Sequence, residues 1–172
     1  MNWYVVDKDY IKYLLQFDSH VGYVDYGDKL KLHIGTLIEL NGIKYYVPVS
    51  SAKTKHKKMS NSLDFHKLED KDSKFLYAVL NINNMIPVPD QCIIQLKYNK
   101  VQEFRKFINN KQKTDYIYLL QKEKELIDLD SDIIQRKALK LYEKCLRIPD
   151  SSLAKRCCKF NLLEEKSKQY KK

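Results

Sequence analysis

Three features of this 172-residue sequence predict an α+β fold, with an antiparallel sheet in the first part of the chain and helices in the rest. Between Trp3 and Leu96 the segments rich in β-branched and aromatic residues are short and bounded by turn residues. After Tyr98 the apolar residues change to spacings of three and four, the period of helices. A sheet in the first part of the chain followed by a run of helices is the α+β pattern.

Trp3 to Asp7 reads as a short strand. Asp7 or Asp9 then opens a helix in which Tyr10, Tyr13, Leu14 and Phe17 follow the i, i+3, i+4, i+7 rule. Val21 to Lys29, with Gly22, Gly27 and alternating Tyr and Asp, is loop-like. A hairpin follows: Ile34 to Leu40 and Ile43 to Val49 flank Asn41-Gly42, the pair preferred in a type I′ turn. Pro48 places the end or an edge of the second strand. Ser50 to Asn61 reads as a basic loop. Further short strands are expected at Leu63–Leu68, Tyr77–Ile82, Met85–Val88 and Cys92–Leu96.

In the second part, Val101, Phe104, Phe107 and Ile108 have helical spacing, as do Tyr116, Leu119 and Leu120. Ile134, Ala138, Leu141, Tyr142 and Cys145 continue it, with Ser131 as the expected cap and Pro149 as the stop. Leu162 to Tyr170 is expected to form a short terminal helix. At about 150 residues per domain the chain is one domain over 1–172, with 1–97 mainly sheet plus one N-terminal helix and 98–172 mainly helical.

Composition narrows the function. The net charge is +10, and only four of the 32 basic residues are arginine. Lysine is a hydrated point charge suited to phosphate contact and less to bidentate base reading. Such a balance is the footprint of a nucleic-acid partner, although a solvated lysine-rich surface has the same composition. The four glycines all lie at or before Gly42 and form neither a P-loop nor a dinucleotide fingerprint. Cys92, Cys145, Cys157 and Cys158 contain no CxxC, and no metal or cofactor site is expected. The start of the chain lacks a signal-peptide pattern, and no apolar run approaches the roughly 20 residues of a membrane span. A soluble cytoplasmic protein with reduced thiols and no membrane partner is the expectation.

One segment concentrates phosphate-binding groups: Ser50-Ser51-Ala52-Lys53, directly after a strand. Two hydroxyls followed by a lysine suit hydrogen bonding and neutralisation of a phosphodiester. Tyr26 and Lys31 lie just before the partner strand, and in a hairpin the start of one strand lies near the end of the other. Lys29, Lys55, Lys57 and Lys58 extend the positive charge. His56 sits among these lysines, where neighbouring charge favours its neutral form and proton transfer is open to it. His33 and His66 read as structural, His20 as a loop residue. Glu164-Glu165, Asp70 and Asp72 read as surface carboxylates. The same Ser-Ser-x-Lys also fits an ordinary polar loop, and the residues alone leave both readings open.

The sequence resembles the ToxN/AbiQ family of type III toxin–antitoxin endoribonucleases. The likeness runs through Tyr10-Ile11-Lys12-Tyr13-Leu14 and Phe17-Asp18, then Lys31 with Ile34-Gly35, then Gly42-x-Lys44-Tyr45. It continues in Pro48-Val49-Ser50-Ser51-x-Lys53, Ser62-Leu63, Lys67-Leu68, Ile82 and Met85-Ile86-Pro87. It closes in Cys158-x-Phe160-x-Leu162-Leu163-Glu164-Glu165-Lys166. Ser50 stands where the family has Thr, and Lys55 where it has an aromatic residue. Tyr26 aligns with a family tyrosine across a one-residue gap.

The resemblance implies a compact, strongly bent antiparallel sheet core like that of MazF/Kid-type toxins. It implies metal-independent, sequence-specific cleavage of single-stranded RNA by 2′-OH transesterification. Ser50, Ser51, Lys53, Lys31 and Tyr26 would be the catalytic residues, with Lys29, Lys55, His56, Lys57 and Lys58 binding RNA. Lys31 and Lys53 would meet the phosphoryl oxygens, one of them also moving a proton, and Tyr26 would orient the sugar. The implied partner is a small repeated antitoxin RNA, folded as a pseudoknot, that the toxin processes and that closes a cyclic protein–RNA assembly. The competing expectation is a non-catalytic RNA-binding module with the same charge.

Overall fold

The computed structural model describes residues 1–22, 32–35, 38–40 and 42–171. Strand β1 (Asn2–Val6) leads into helix α1 (Lys8–Leu15), whose N-cap is Asp7: its Oδ1 accepts the Asp9 backbone N–H at 2.9 Å. The helix buries Tyr10, Ile11 and Leu14. Burial raises the Tyr10 hydroxyl far above its ordinary pKa, and it donates to the Pro87 carbonyl at 2.6 Å.

The remaining strands are β2 (His33–Gly35), β3 (Glu39–Leu40), β4 (Ile43–Ser51), β5 (Phe65–Glu69), β6 (Leu76–Asn81), β7 (Ile86–Pro87) and β8 (Ile93–Gln95). Every pairing among the described residues is antiparallel, in the order β5-β6-β4-β2-β1-β8. Strand β4 is the spine. One of its edges pairs first with β3 and then with β2, the other first with β7 and then with β6.

Pro48 lies inside β4 and not at its end. The Val49 N–H donates to Leu32 O, so Pro48 opposite His33 occupies a non-hydrogen-bonded position of the β2 ladder. Its missing N–H faces the other edge, where β7 has ended at Tyr46 and β6 begins only at Val49. Gly42 has φ +75°, as the second position of the expected type I′ turn requires; Asn41 lies outside the described residues. Gly35 is needed for a different reason: a Cβ there would overlap the Tyr46 ring.

Ser50–Asn61 is not a plain loop. Strand β4 continues through Ser51, and Thr54–Lys58 forms the short helix α2. The helical spacing around Val101 also resolves differently, as a 3₁₀ helix over Tyr98–Glu103 that leaves Ile108 88% exposed. The long helices are α3 (Asn110–Leu129) and α4 (Ser131–Arg147), followed by α5 (Phe160–Gln169). Asp130, and not Ser131, is the N-cap residue of α4. Its carboxylate is engaged elsewhere, 3.1 Å from His66 Nε2.

Buried side chains of sheet and helices share one core, from Trp3 and Tyr10 through Tyr45 and Leu80 to Leu120, Leu141 and Phe160. Polar ties hold the layers. The Trp3 indole donates to Leu120 O on α3 at 3.1 Å. Asp18 accepts the Lys159 N–H at 2.6 Å, where α5 begins. Glu164 is half-buried, not a surface carboxylate, and accepts from Tyr45 Oη at 2.5 Å and Tyr142 Oη at 2.8 Å. Burial and that carboxylate together push the Tyr142 hydroxyl up to about 12.

Candidate functional site at the end of strand β4

The last residues of β4 carry the hydroxyl pair. Ser50 and Ser51 stand opposite Val79 and Ala78 of β6. Successive strand residues point to opposite faces, so the two hydroxyls emerge on different sides of the strand. Ser51 is exposed; Ser50 is half-buried, and its Oγ accepts a hydrogen bond from Asn81 Nδ2 at 3.1 Å. Ala52 then packs on Phe65, Leu76 and Val79, which turns the chain off the sheet.

Lys53 is the N-cap residue of α2. A lysine ammonium accepts no hydrogen bond, so the cap is supplied from inside the helix. His56, at the third helical position, accepts the Lys53 backbone N–H on Nδ1 at 3.2 Å, while its own N–H donates to Lys53 O at 2.8 Å. This is the reciprocal half of a capping box with histidine in the place of glutamate or glutamine.

The His56 ring is only 6% exposed and leans on Phe65 at 5.8 Å between centroids. Burial, then Lys55 and Lys53, lowers its pKa, which keeps Nδ1 unprotonated and able to accept. His56 therefore lies beneath the lysines instead of among them. Lys53, Lys55, Lys57 and Lys58 are all exposed, and among the described residues none of them enters an ion pair.

The hairpin register carries the chain towards this point: Leu32 is hydrogen-bonded to Val49, the residue before Ser50. Tyr26, Lys29 and Lys31, the other expected site residues, lie outside the described residues. Asn81 was not anticipated. No local signal marks it, because its link to Ser50 depends on β6 lying beside β4.

Two grooves carry basic side chains, the first of them bordered by the end of α2. One, of about 450 Å³, is lined by Lys57, Lys58, Lys67 and Lys71 with Glu69 and Asp130. The other, of about 480 Å³, lies between Leu63 and a face of α4 bearing Lys140, Glu143, Lys144 and Arg147. Lys137 holds α4 to this edge of the sheet, with Nζ 3.2 Å from both Phe65 O and His66 Nδ1. Among the described residues no group of three or more His, Cys, Asp or Glu could hold a metal ion, and no helix is long and apolar enough to cross a membrane.

The same architecture occurs in bacterial antiviral toxins. A structure from work on a processed non-coding RNA that regulates a bacterial antiviral system superposes with a TM-score of 0.83 at 27% identity, covering 100% of both chains. That of AbiQ, a lactococcal anti-phage endoribonuclease of a type III toxin–antitoxin system, gives 0.82 at 26% identity, over 98% of this chain and 96% of that one.

In sequence, the family model described as toxin ToxN, type III toxin–antitoxin system, matches residues 2–168, and the chain belongs to this family of endoribonuclease toxins. Endoribonuclease ToxN of Bacillus thuringiensis subsp. kurstaki is 30% identical over 174 residues, 98% of this chain and 84% of that protein. Endoribonuclease AbiQ of Lactococcus lactis subsp. lactis is 27% identical over 181 residues, 100% of this chain and 90% of that protein.

Proposed function

We propose that the end of β4 is the catalytic centre of a sequence-specific endoribonuclease toxin that cleaves single-stranded RNA by transesterification. The observation that carries this reading is the meeting, at one strand end, of two serine hydroxyls with four exposed lysines that have no acidic partner among the described residues. Positive charge not engaged in an ion pair is an arrangement for an anion, and hydroxyls next to it make that anion a hydrogen-bond acceptor.

The substrate supplies its own nucleophile, so the protein needs neither a nucleophilic side chain nor a metal. The ribose 2′-OH loses its proton, its oxygen bonds to the adjacent phosphorus, and the bond from phosphorus to the 5′-oxygen breaks. A proton delivered to that oxygen leaves a 2′,3′-cyclic phosphate and a 5′-hydroxyl. The protein's work is alignment and stabilisation of the phosphorane charge.

Lys53 and Lys31 neutralise the phosphoryl oxygens, and one of them moves a proton. Ser50 donates to the scissile phosphate, Ser51 donates to the RNA backbone from the other side of the strand, and Tyr26 orients the sugar. Lys29, Lys55, Lys57 and Lys58 hold the flanking backbone, while His56 serves them by fixing the turn from which they project.

This basic surface, together with Lys140, Lys144 and Arg147 on α4, suits a folded antitoxin RNA. A solved relative at 25% identity and a TM-score of 0.80 concerns selective toxin inhibition by a non-coding RNA pseudoknot in type III systems. A repeated pseudoknot RNA that this chain processes, and that inhibits it in a closed cyclic assembly, fits that precedent. A cytoplasmic location fits the four cysteines, all buried and none in a disulfide.

The test is incubation of the purified chain with a random-sequence single-stranded RNA pool in EDTA, beside Ser51→Ala and Lys53→Ala. Cyclic phosphate ends from the wild type alone are the expected result. Full cleavage by both variants would move the catalytic centre elsewhere, and RNA binding without any cleavage would leave a binding module.

A further inference from the structure

Resting on that reading, we infer that Asn81 is a positioning residue of the cleavage reaction: its carboxamide N–H holds the Ser50 hydroxyl so that the hydroxyl proton is directed at a phosphoryl oxygen of the bound RNA.

The geometry follows from the pairing of β6 with β4. Ser50 stands directly opposite Val79, and Asn81, two residues further along β6, is its diagonal neighbour on the same face. Diagonal neighbours in an antiparallel pair lie about 7–8 Å apart at the backbone, within reach of an asparagine side chain. Nδ2 donates to Ser50 Oγ at 3.1 Å.

A carboxamide N–H can only donate, so it takes a lone pair of the hydroxyl oxygen and turns the hydroxyl proton away from Asn81. A hydroxyl that accepts one hydrogen bond is polarised into a stronger donor of the next. Asn81 thus acts on both the direction and the strength of the Ser50 donor.

Its neighbours show what a structural asparagine does in this fold. Asn83 Nδ2 donates to the Arg156 carbonyl at 2.9 Å, and Asn84 Nδ2 to the His20 carbonyl at 2.6 Å. Each ties distant chain segments together through the backbone. The Asn81 side chain bonds no backbone group among the described residues, and its one partner there is the site serine. Its backbone pairs with Phe65 in the sheet whatever the side chain. Removing the carboxamide therefore leaves the ladder intact.

The experiment compares Asn81→Ala, Asn81→Leu, which has a similar shape without a donor, and Asn81→Asp, which replaces the donor by an acceptor. Ser50→Ala is the reference. Single-turnover cleavage of a random-sequence RNA pool in EDTA is set against affinity for the same pool made 2′-O-methyl, which lacks the nucleophile. Thermal melting is followed in parallel.

Asn81→Ala and Asn81→Leu are expected to slow cleavage about 10-fold, and Asn81→Asp about 100-fold because it captures the Ser50 proton. Affinity for 2′-O-methyl RNA and the melting temperature are expected to stay at wild-type values. Wild-type cleavage by Asn81→Asp would overturn the inference. So would a loss that appears in affinity, which is charge repulsion, or in melting, which is structural damage. If Ser50→Ala is inactive and the Asn81 variants are fully active, the positioning role alone fails. If Ser50→Ala itself cleaves normally, the reading of Ser50 fails with it.

Discussion

The short helix α2 should depend on His56 for its cap and not for proton transfer, and the two roles separate cleanly by substitution. His56→Ala deletes the acceptor of the Lys53 N–H and the ring packed on Phe65. Loss of a helix cap costs about 1 kcal/mol, and the ring pair contributes about 1 kcal/mol more. A five-residue helix has no stability of its own to offset this, because nucleation is unfavourable and few turns follow. About 2 kcal/mol is about a 30-fold increase in local opening. Amide hydrogen exchange should show it as about 30-fold faster exchange across Thr54–Met59, with β4 and β6 unchanged. Lysines on an opened segment no longer face the phosphate in one geometry, and cleavage should fall with the opening, by at most about 30-fold. His56→Gln keeps an acceptor at the position where capping boxes favour glutamine and loses only the ring contact, so exchange and cleavage should return to within about 5-fold of wild type. Equal damage from Gln and Ala would refute the capping argument and make the imidazole itself the reacting group. Unchanged exchange in His56→Ala would refute it from the other side.

Gly35→Ala should destabilise the sheet by about 3 kcal/mol, through the clash with Tyr46, and lower the melting temperature. Gly22→Ala, which meets nothing within 4 Å, should melt like the wild type. Lys57→Gln combined with Lys58→Gln should reduce the slope of log affinity against log salt for single-stranded RNA by about 1.4, at about 0.7 per phosphate contact. Melting followed from pH 8 to 5 should show stability falling with acid. His66 and His56 both have lowered pKa values in the fold, each first through burial, so the unfolded chain binds more protons as pH drops through about 6.5. The contribution is present above that value and is lost progressively below it, and His66→Gln should flatten the curve.

Much of this was legible because it is local. Asp7 lies two residues from the N–H it caps, and Gly42 carries its turn in its own backbone angle, so adjacent residues suffice to predict α1 and the hairpin. The apolar spacing of Ile134, Ala138, Leu141 and Cys145 identified the buried face of α4 in the same way. Pro48 points to a strand end or an edge, and which of the two holds depends on the side its missing N–H faces, here the gap between β7 and β6. Local reasoning read Ser50–Asn61 as a loop because five residues, three of them lysines, show no periodicity. Asp130 passed unnoticed as a helix start, since the neighbouring serine has the same capping chemistry.

The hydroxyl pair, the lysine two residues beyond it, the excess of positive charge and the α+β order of elements were determined by the sequence itself, since each is a property of composition or of residues a few positions apart. Three further decisions belong to the tertiary structure. It set Asn81 beside Ser50, turned His56 inward under the lysines, and enclosed Glu164 between Tyr45 and Tyr142. Each joins groups whose distance is fixed by strand register or layer packing. Register is chosen by burial of whole faces across the sheet, a sum over the core that no short stretch of sequence contains.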